Sequence, residues 1–295
     1  MSFIDRIQEC NNFQADGFIP FYLDNLCIGL VEPGFAAILA DFPAVFLQQK
    51  SSGIGIQPHL DNFERRTQAM AEVANGLLER GTVGYLLGEP YAISDRPEQP
   101  LFLLDRALVS YFGFRSYGQH LNGYVRQNGE LMIWVAKRAA DRRIFPGLLD
   151  NLVAGGLPYG ISLQQNLAKE CYEEAGIPAE LAALAQPVGA LTYNAVSYKG
   201  YKPDTLYCYD LQLPADFQPV CTDGEVESFE LCPANQVIEI VRNGTSFKPN
   251  CNLVLIDFFI RHGLIAPEHP DYLAIQTGLK VPFTYTNLPH GKAAE

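Results

Sequence analysis

The sequence predicts two domains of mixed α and β structure: a smaller α+β unit over residues 1–115, and a larger unit over 116–295 that periodicity alone leaves as α/β or α+β. Three observations predict this. The chain has 295 residues with 48% hydrophobic composition, which is ample for an ordinary core and long for a single one. Its first third breaks into short apolar runs separated by Gly, Pro, Asn and Asp. From Gln119 onward the apolar runs lengthen and bracket one helix with clear start and stop signals.

In the first unit, residues 2–10 and 62–76 carry apolar residues at helical spacing, while 18–23, 27–30 and 45–48 read as short strands. Residues 112–118 (Phe-Gly-Phe-Arg-Ser-Tyr-Gly) fit either a hinge between units or a packed turn. Strands follow at 120–127 and 131–137, joined by Asn128-Gly129, the dipeptide that favours a tight hairpin turn. After the well-marked helix come strand-like runs at 188–198, 205–213 and 226–232, then helices near 234–241 and 253–262.

Composition excludes several classes of function. With 33 Asp and Glu against 21 Lys and Arg, net −12, the chain lacks the basic surface that binding a nucleic-acid polymer needs. No apolar run approaches the roughly 18 residues that span a bilayer, so no membrane partner is expected. The first ten residues do not read as a signal peptide, which gives a cytoplasmic expectation. Seven cysteines, an odd number without C-x-x-C spacing, read as reduced structural thiols, and none of the five histidines is paired at i,i+4. A homo-oligomer stays open.

The helix is the most informative segment. Ser162 followed by Gln165 forms a capping box; Leu167, Ala168, Cys171 and Ala175 share one face; and Gly176 supplies a left-handed stop. At about 100° per residue, Glu170, Glu173 and Glu174 fall within an arc roughly 100° wide. Two lie in the last turn, where the macrodipole disfavours a carboxylate by roughly 0.3–1 kcal/mol. Like charges about 5 Å apart repel by roughly 3 kcal/mol at an effective dielectric near 20. A divalent cation would reverse both costs. The same residues also fit a solvated face with Lys169 pairing Glu173 at i,i+4.

These residues, with Gly155 and Ile177, resemble the Nudix box, G-x5-E-x7-R-E-U-x-E-E-x-G-U with U apolar. Seven of its nine specified positions are present: Gly155, Glu170, Cys171, Glu173, Glu174, Gly176 and Ile177. Ile161 stands where the family has Glu, and Lys169 where it has Arg. The lead-in from Phe145 to Gly156 resembles the Nudix subgroup related to thiamine pyrophosphokinase, and the N-terminal region resembles the accessory domain that often precedes it. The resemblance implies an α/β/α sandwich with a mixed sheet in the second domain, and thus an α+β chain overall.

It further implies a hydrolase that cleaves the phosphoanhydride of a small-molecule diphosphate. Glu170, Glu173, Glu174 and the Gly155 carbonyl would hold Mg²⁺, with Mn²⁺ as a substitute; oxygen donors suit these ions. Glu173 and Glu174 are the first catalytic candidates. Glu225 and Glu227 offer further acids, since i,i+2 spacing puts both on one face if the strand reaches that far; a polar strand entrance fits equally. Arg143 is a candidate phosphate contact, and Tyr193 with Asn194 candidates for lining a ring pocket, although aromatics at strand spacing also serve cores. By subgroup the substrate would be thiamine diphosphate or a damaged oxy or oxo analogue. The alternatives are a nucleotide-sugar or ADP-ribose type pyrophosphatase, or a Nudix-fold module that binds without hydrolysis.

Overall fold

Strand and helix order follows from the turn chemistry. The computed structural model describes residues 2–49, 53–94 and 99–283; residues 284–295 of the second expected domain lie outside the described residues. The first part runs α1 (Phe3–Cys10), β1 (Ile19–Leu23), β2 (Leu26–Val31), α2 (Pro33–Leu39), β3 (Phe46–Gln49), β4 (Gly53–Ile56), α3 (Phe63–Glu79), β5 (Pro90–Ile93) and β6 (Phe102–Asp105). The second runs β7 (Ser116–Gln127), β8 (Glu130–Arg138), β9 (Leu149–Asp150), β10 (Val153–Gly156), α4 (Leu163–Ala175), α5 (Ala179–Ala182), β11 (Gln186–Ser197), β12 (Gly200–Gln212), β13 (Val226–Pro233), α6 (Ala234–Asn243), α7 (Pro249–Arg261) and α8 (Tyr272–Gly278).

In the first part, a four-stranded sheet of order β2-β1-β4-β3 is antiparallel except between β1 and β4, and β5 and β6 form a separate hairpin. Helix α3, capped by the Asn62 side chain, buries Met70, Val73 and Leu77 in a core shared with Phe21, Phe112 and Phe114. Within residues 112–118, Phe112 and Gly113 belong to a packed turn and Ser116 opens β7. Both phenylalanines are buried, and Gly113, at φ 62°, sits so close to Leu30 that a Cβ would meet its carbonyl oxygen at 2.1 Å.

The second sheet has the path β11-β12-β7-β8-β13, with β10 paired to β7 and β9 to β8. It is mixed, since β12 runs parallel to β7 while the other pairings are antiparallel. The β7–β8 turn places Asn128 at φ 54° and Gly129 at φ 82°, the two positive values a type I′ turn demands. One face packs Leu121, Val125, Trp134, Leu152 and Val153 against Leu167, Cys171 and Ala175 of α4. The other face meets residues of α6, α7 and α8, together with Phe3, Ile7 and Cys10 of α1. The chain's first helix therefore helps to cover the second sheet, a contact between segments more than 100 residues apart that local periodicity does not carry. The result is an α/β/α sandwich beside a smaller α+β unit.

Candidate active site

Helix α4 is fixed at both ends by its own sequence. The Ser162 hydroxyl accepts from the Gln165 backbone N–H at 3.2 Å, and the Gln165 side chain accepts from the Ser162 N–H at 3.1 Å. Gly176 closes the helix at φ 63°. Between these caps, burial of Leu167, Cys171 and Ala175 against the sheet sets the rotation of the helix, which turns Glu174 toward β10 and leaves Glu173 half-buried.

Residues 153–156, which the sequence does not mark as a strand, form β10, with Gly155 opposite Gln119 of β7. Two backbone features of β10 receive the helix acids. The Ala154 N–H donates to Glu174 Oε2 at 2.7 Å. A Cβ on Gly155 would meet the Glu170 carboxyl carbon at 2.4 Å and Oε2 at 2.7 Å, so only glycine leaves room for that carboxylate. Burial raises both groups above the ordinary carboxylate range. Glu174 is pushed to about 8, first by desolvation and then by Asp150, and Glu170 also rises, chiefly through desolvation. Carboxyl groups stripped of water beside small backbone are the condition a hard dication would relieve.

Lys169 partly offsets that charge. Its Nζ reaches Glu173 Oε2 at 2.6 Å and Glu170 Oε1 at 3.2 Å. The i,i+4 pairing is therefore real, with Glu173 on Lys169 while Glu174 turns to the Ala154 N–H and Glu170 to Gly155. Asn166 supports the neighbouring backbone, donating to the Gly156 carbonyl and to Gln119 Oε1, both at 2.8 Å.

Glu225 and Glu227 part company. Strand β13 begins at Val226, and its pairing with β8 shifts register between Val226 and Ser228. The bulge breaks the i,i+2 alternation on which a shared face depends. Glu227 pairs with Lys137 at 2.8 Å on an exposed surface. Glu225 pairs with Arg142 at 2.7 Å and lies within the electrostatic reach of Glu170. Arg143 is exposed, its guanidinium 4.4 Å from the centre of the Tyr85 ring. Tyr193 and Asn194 are not brought to the carboxylates. Tyr193 is buried in the core on the sheet face opposite α4, its hydroxyl donating to Asp204 at 2.5 Å. Asn194 is buried too, accepting from Tyr201 and donating to the Pro282 carbonyl. The alternation that exposes one face of β11 puts Tyr193 into the core, on the sheet face away from the carboxylates of α4.

A second cluster joins His120, Asp150 and Cys251, whose ligand atoms lie within 4.8 Å of one another in full burial. Its charge is already balanced. Asp150 accepts from Arg138 at 2.9 Å and Lys248 at 3.3 Å, and His120 Nδ1 is 2.8 Å from Asn151 Oδ1. A dication there would face two fixed cations, and this network instead anchors β9 to α7 behind Glu174. All seven cysteines are free thiols. Among the described residues no helix is long and apolar enough to cross a membrane.

Comparisons with known proteins place most of the chain in a family. A model described as NUDIX domain matches residues 122–250, and one described as a domain of unknown function, DUF4743, matches residues 2–116. The chain is 41% identical over 282 residues to Nudix hydrolase 24, chloroplastic, of Arabidopsis thaliana, covering 94% of this chain and 77% of the relative. It is 39% identical over 289 residues to Nudix hydrolase 20, chloroplastic, of the same plant, with the same coverages. An uncharacterized Saccharomyces cerevisiae protein is 33% identical over 251 residues, 77% of this chain and 72% of that one. The cytoplasmic expectation is corrected by these matches: both plant relatives are named as chloroplastic, and an expectation drawn from ten N-terminal residues does not stand against them.

Proposed function

The chain belongs to the Nudix hydrolase family and is a Nudix-type diphosphate hydrolase, and from that premise we propose that it uses Mg²⁺ held on α4 to cleave the phosphoanhydride of a small organic diphosphate. Nudix hydrolases as a family work with a divalent metal. The observation that carries the choice of site is the meeting of Glu170 and Glu174 with the glycine-bearing strand β10.

The donors fit magnesium. Glu170, Glu173, Glu174 and the Gly155 carbonyl are all oxygen ligands, and the nearest thiol, Cys171, is fully buried on the sheet side of the helix. A divalent ion, when bound, neutralises phosphate oxygens and acidifies a coordinated water. The chain's own groups do the rest. Glu174, held by the Ala154 N–H, fixes the helix against β10, and Gly155 leaves space for the Glu170 carboxylate. Glu225, oriented by Arg142, is the acid best placed to take a proton from an attacking water, a role requiring reach and an ionised carboxylate.

For the substrate, the lead-in from Phe145 to Gly156 supports thiamine diphosphate or its oxy or oxo analogue, converted to the monophosphate. The test is monophosphate release from a panel of thiamine diphosphates, ADP-ribose and nucleoside triphosphates, with Mg²⁺ and with chelator. Mg²⁺-dependent turnover of the thiamine compounds above the others is expected. Preference for ADP-ribose would overturn the substrate assignment, and turnover that survives chelator would overturn the metal assignment.

A further inference from the structure

Gly156 stands where the two domains meet. A Cβ there would fall 1.7 Å from the Tyr91 hydroxyl oxygen and 3.2 Å from Arg106 Cζ. Tyr91 lies in β5 and Arg106 directly follows β6, so two side chains of the N-terminal domain end against the residue next to Gly155. The Tyr159 N–H also donates to the Pro90 carbonyl at 2.8 Å, tying the loop before α4 to β5.

The guanidinium of Arg106 is only partly used. Its Nη1 pairs with Glu89 at 2.9 Å, and its Cζ lies 5.5 Å from the centre of the Tyr91 ring. Among the described residues, Nε and Nη2 have no hydrogen-bond partner. Burial works against the Arg106 charge, and Tyr91, Glu89 and then Glu170 outweigh it. The cation thus lies in the field of Glu170 without being bonded to it.

Other cations continue the same rim. Lys199 Nζ reaches the carbonyl of Ala107 at 3.2 Å and the Tyr85 hydroxyl at 3.1 Å, and the Arg143 guanidinium lies 4.4 Å from the centre of the Tyr85 ring. Arg142 then leads back to Glu225. In a chain of net charge −12, two cations are tied to the acids, Arg106 through the field of Glu170 and Arg142 through its pair with Glu225.

We propose that Arg106, carried on the N-terminal domain, binds the diphosphate of the substrate, so that the hydrolase site is completed across the domain boundary. A planar guanidinium with one edge paired to Glu89 still offers a second edge for two phosphate oxygens. The inference rests on the placement of the metal centre on α4. It accounts for Gly156, since any side chain there would push Tyr91 and Arg106 away.

The experiment measures binding of methylenediphosphonate to the full chain by calorimetry with Mg²⁺, beside the turnover panel, for the wild type, R106Q, R106K and E89Q. Loss of a charge-assisted bidentate contact should weaken probe binding about 10- to 100-fold in R106Q, with R106K intermediate. E89Q keeps the guanidinium and should bind within about threefold of wild type, since a surface ion pair contributes little. Equal affinity of R106Q and wild type would overturn the inference while leaving the carboxylate site standing. Equal weakening in R106Q and E89Q would also overturn it, assigning Arg106 to domain docking. Should R106Q fail to fold, R106K decides, unchanged affinity again being contrary. A Mg²⁺-loaded wild type that neither binds the probe nor turns over any substrate would overturn both the inference and the site reading.

Discussion

Gly155→Ala separates the site from the fold more cleanly than removal of an acid. The new Cβ would lie 2.4 Å from the Glu170 carboxyl carbon and 2.6 Å from its Cγ. Ordinary contact distances are near 3.6 Å, so the carboxyl group has to retreat by about 1 Å, a displacement of catalytic geometry that costs on the order of 10²-fold in rate. That corresponds to about 2.7 kcal/mol of transition-state stabilisation. The stability cost should be much smaller. Gly155 has no left-handed φ, the obstructing atoms end a side chain on a helix surface, and Ala for Gly lowers unfolded-state entropy by about 0.4–1 kcal/mol in favour of the fold. Steady-state kinetics at saturating Mg²⁺ with a melting curve make the assay. The expected result is kcat/KM down about 100-fold with Tm within about 4 °C of wild type. Shortening the acid in G155A/E170D should restore part of the activity by clearing the contact. Full activity in G155A would refute the reasoning.

Other variants test other parts of the site. Glu173→Gln removes a half-exposed carboxylate whose partner is Lys169; kcat should fall at least about 10²-fold with Tm nearly unchanged, and an active E173Q enzyme would move the site elsewhere. Glu225→Gln should slow turnover by about 10²-fold or more, as loss of a general base does, whereas E227Q should stay within about twofold because its partner Lys137 is on the exposed surface; the opposite order would reassign the base. His120 is held down to about 4, mainly by burial and further by Lys248, against about 6.5 when unfolded. The folded state then binds fewer protons between those values. Stability from this group is complete above pH 6.5 and is lost as pH falls toward 4, by about 1.4 kcal/mol per unit. Urea midpoints of wild type minus H120Q should show that slope, and identical pH dependence in the two proteins would contradict it.

Local chemistry accounts for what the sequence alone made legible. The Ser162–Gln165 box, the Gly176 stop and the Asn128-Gly129 turn each draw on residues within a few positions, and each sits in the fold where the pattern puts it. Features that depend on distant partners were not legible. Residues 153–156 are a strand because β7 pairs with them, and nothing in Val-Ala-Gly-Gly announces it. Glu225 and Glu227 share a spacing but not a site, since the bulge in β13 is set by its pairing with β8. Tyr193 follows the alternation of β11 into the core, where its hydroxyl finds Asp204. Arg106 belongs to no motif. Its relation to Gly156 exists only once the two domains are docked, although the doubled glycine at 155–156 was a signal that something approaches closely from both sides.

A divalent ion held on α4 by Glu170, Glu173 and Glu174 is what the other active-site predictions depend on. Mn²⁺ titration followed by electron paramagnetic resonance tests it directly, comparing the wild type with the E170Q/E173Q/E174Q triple variant after circular dichroism shows both folded. Mn²⁺ should be bound by the wild type, displaced by Mg²⁺ and lost in the triple variant. Mn²⁺ binding unchanged in the triple variant would contradict it.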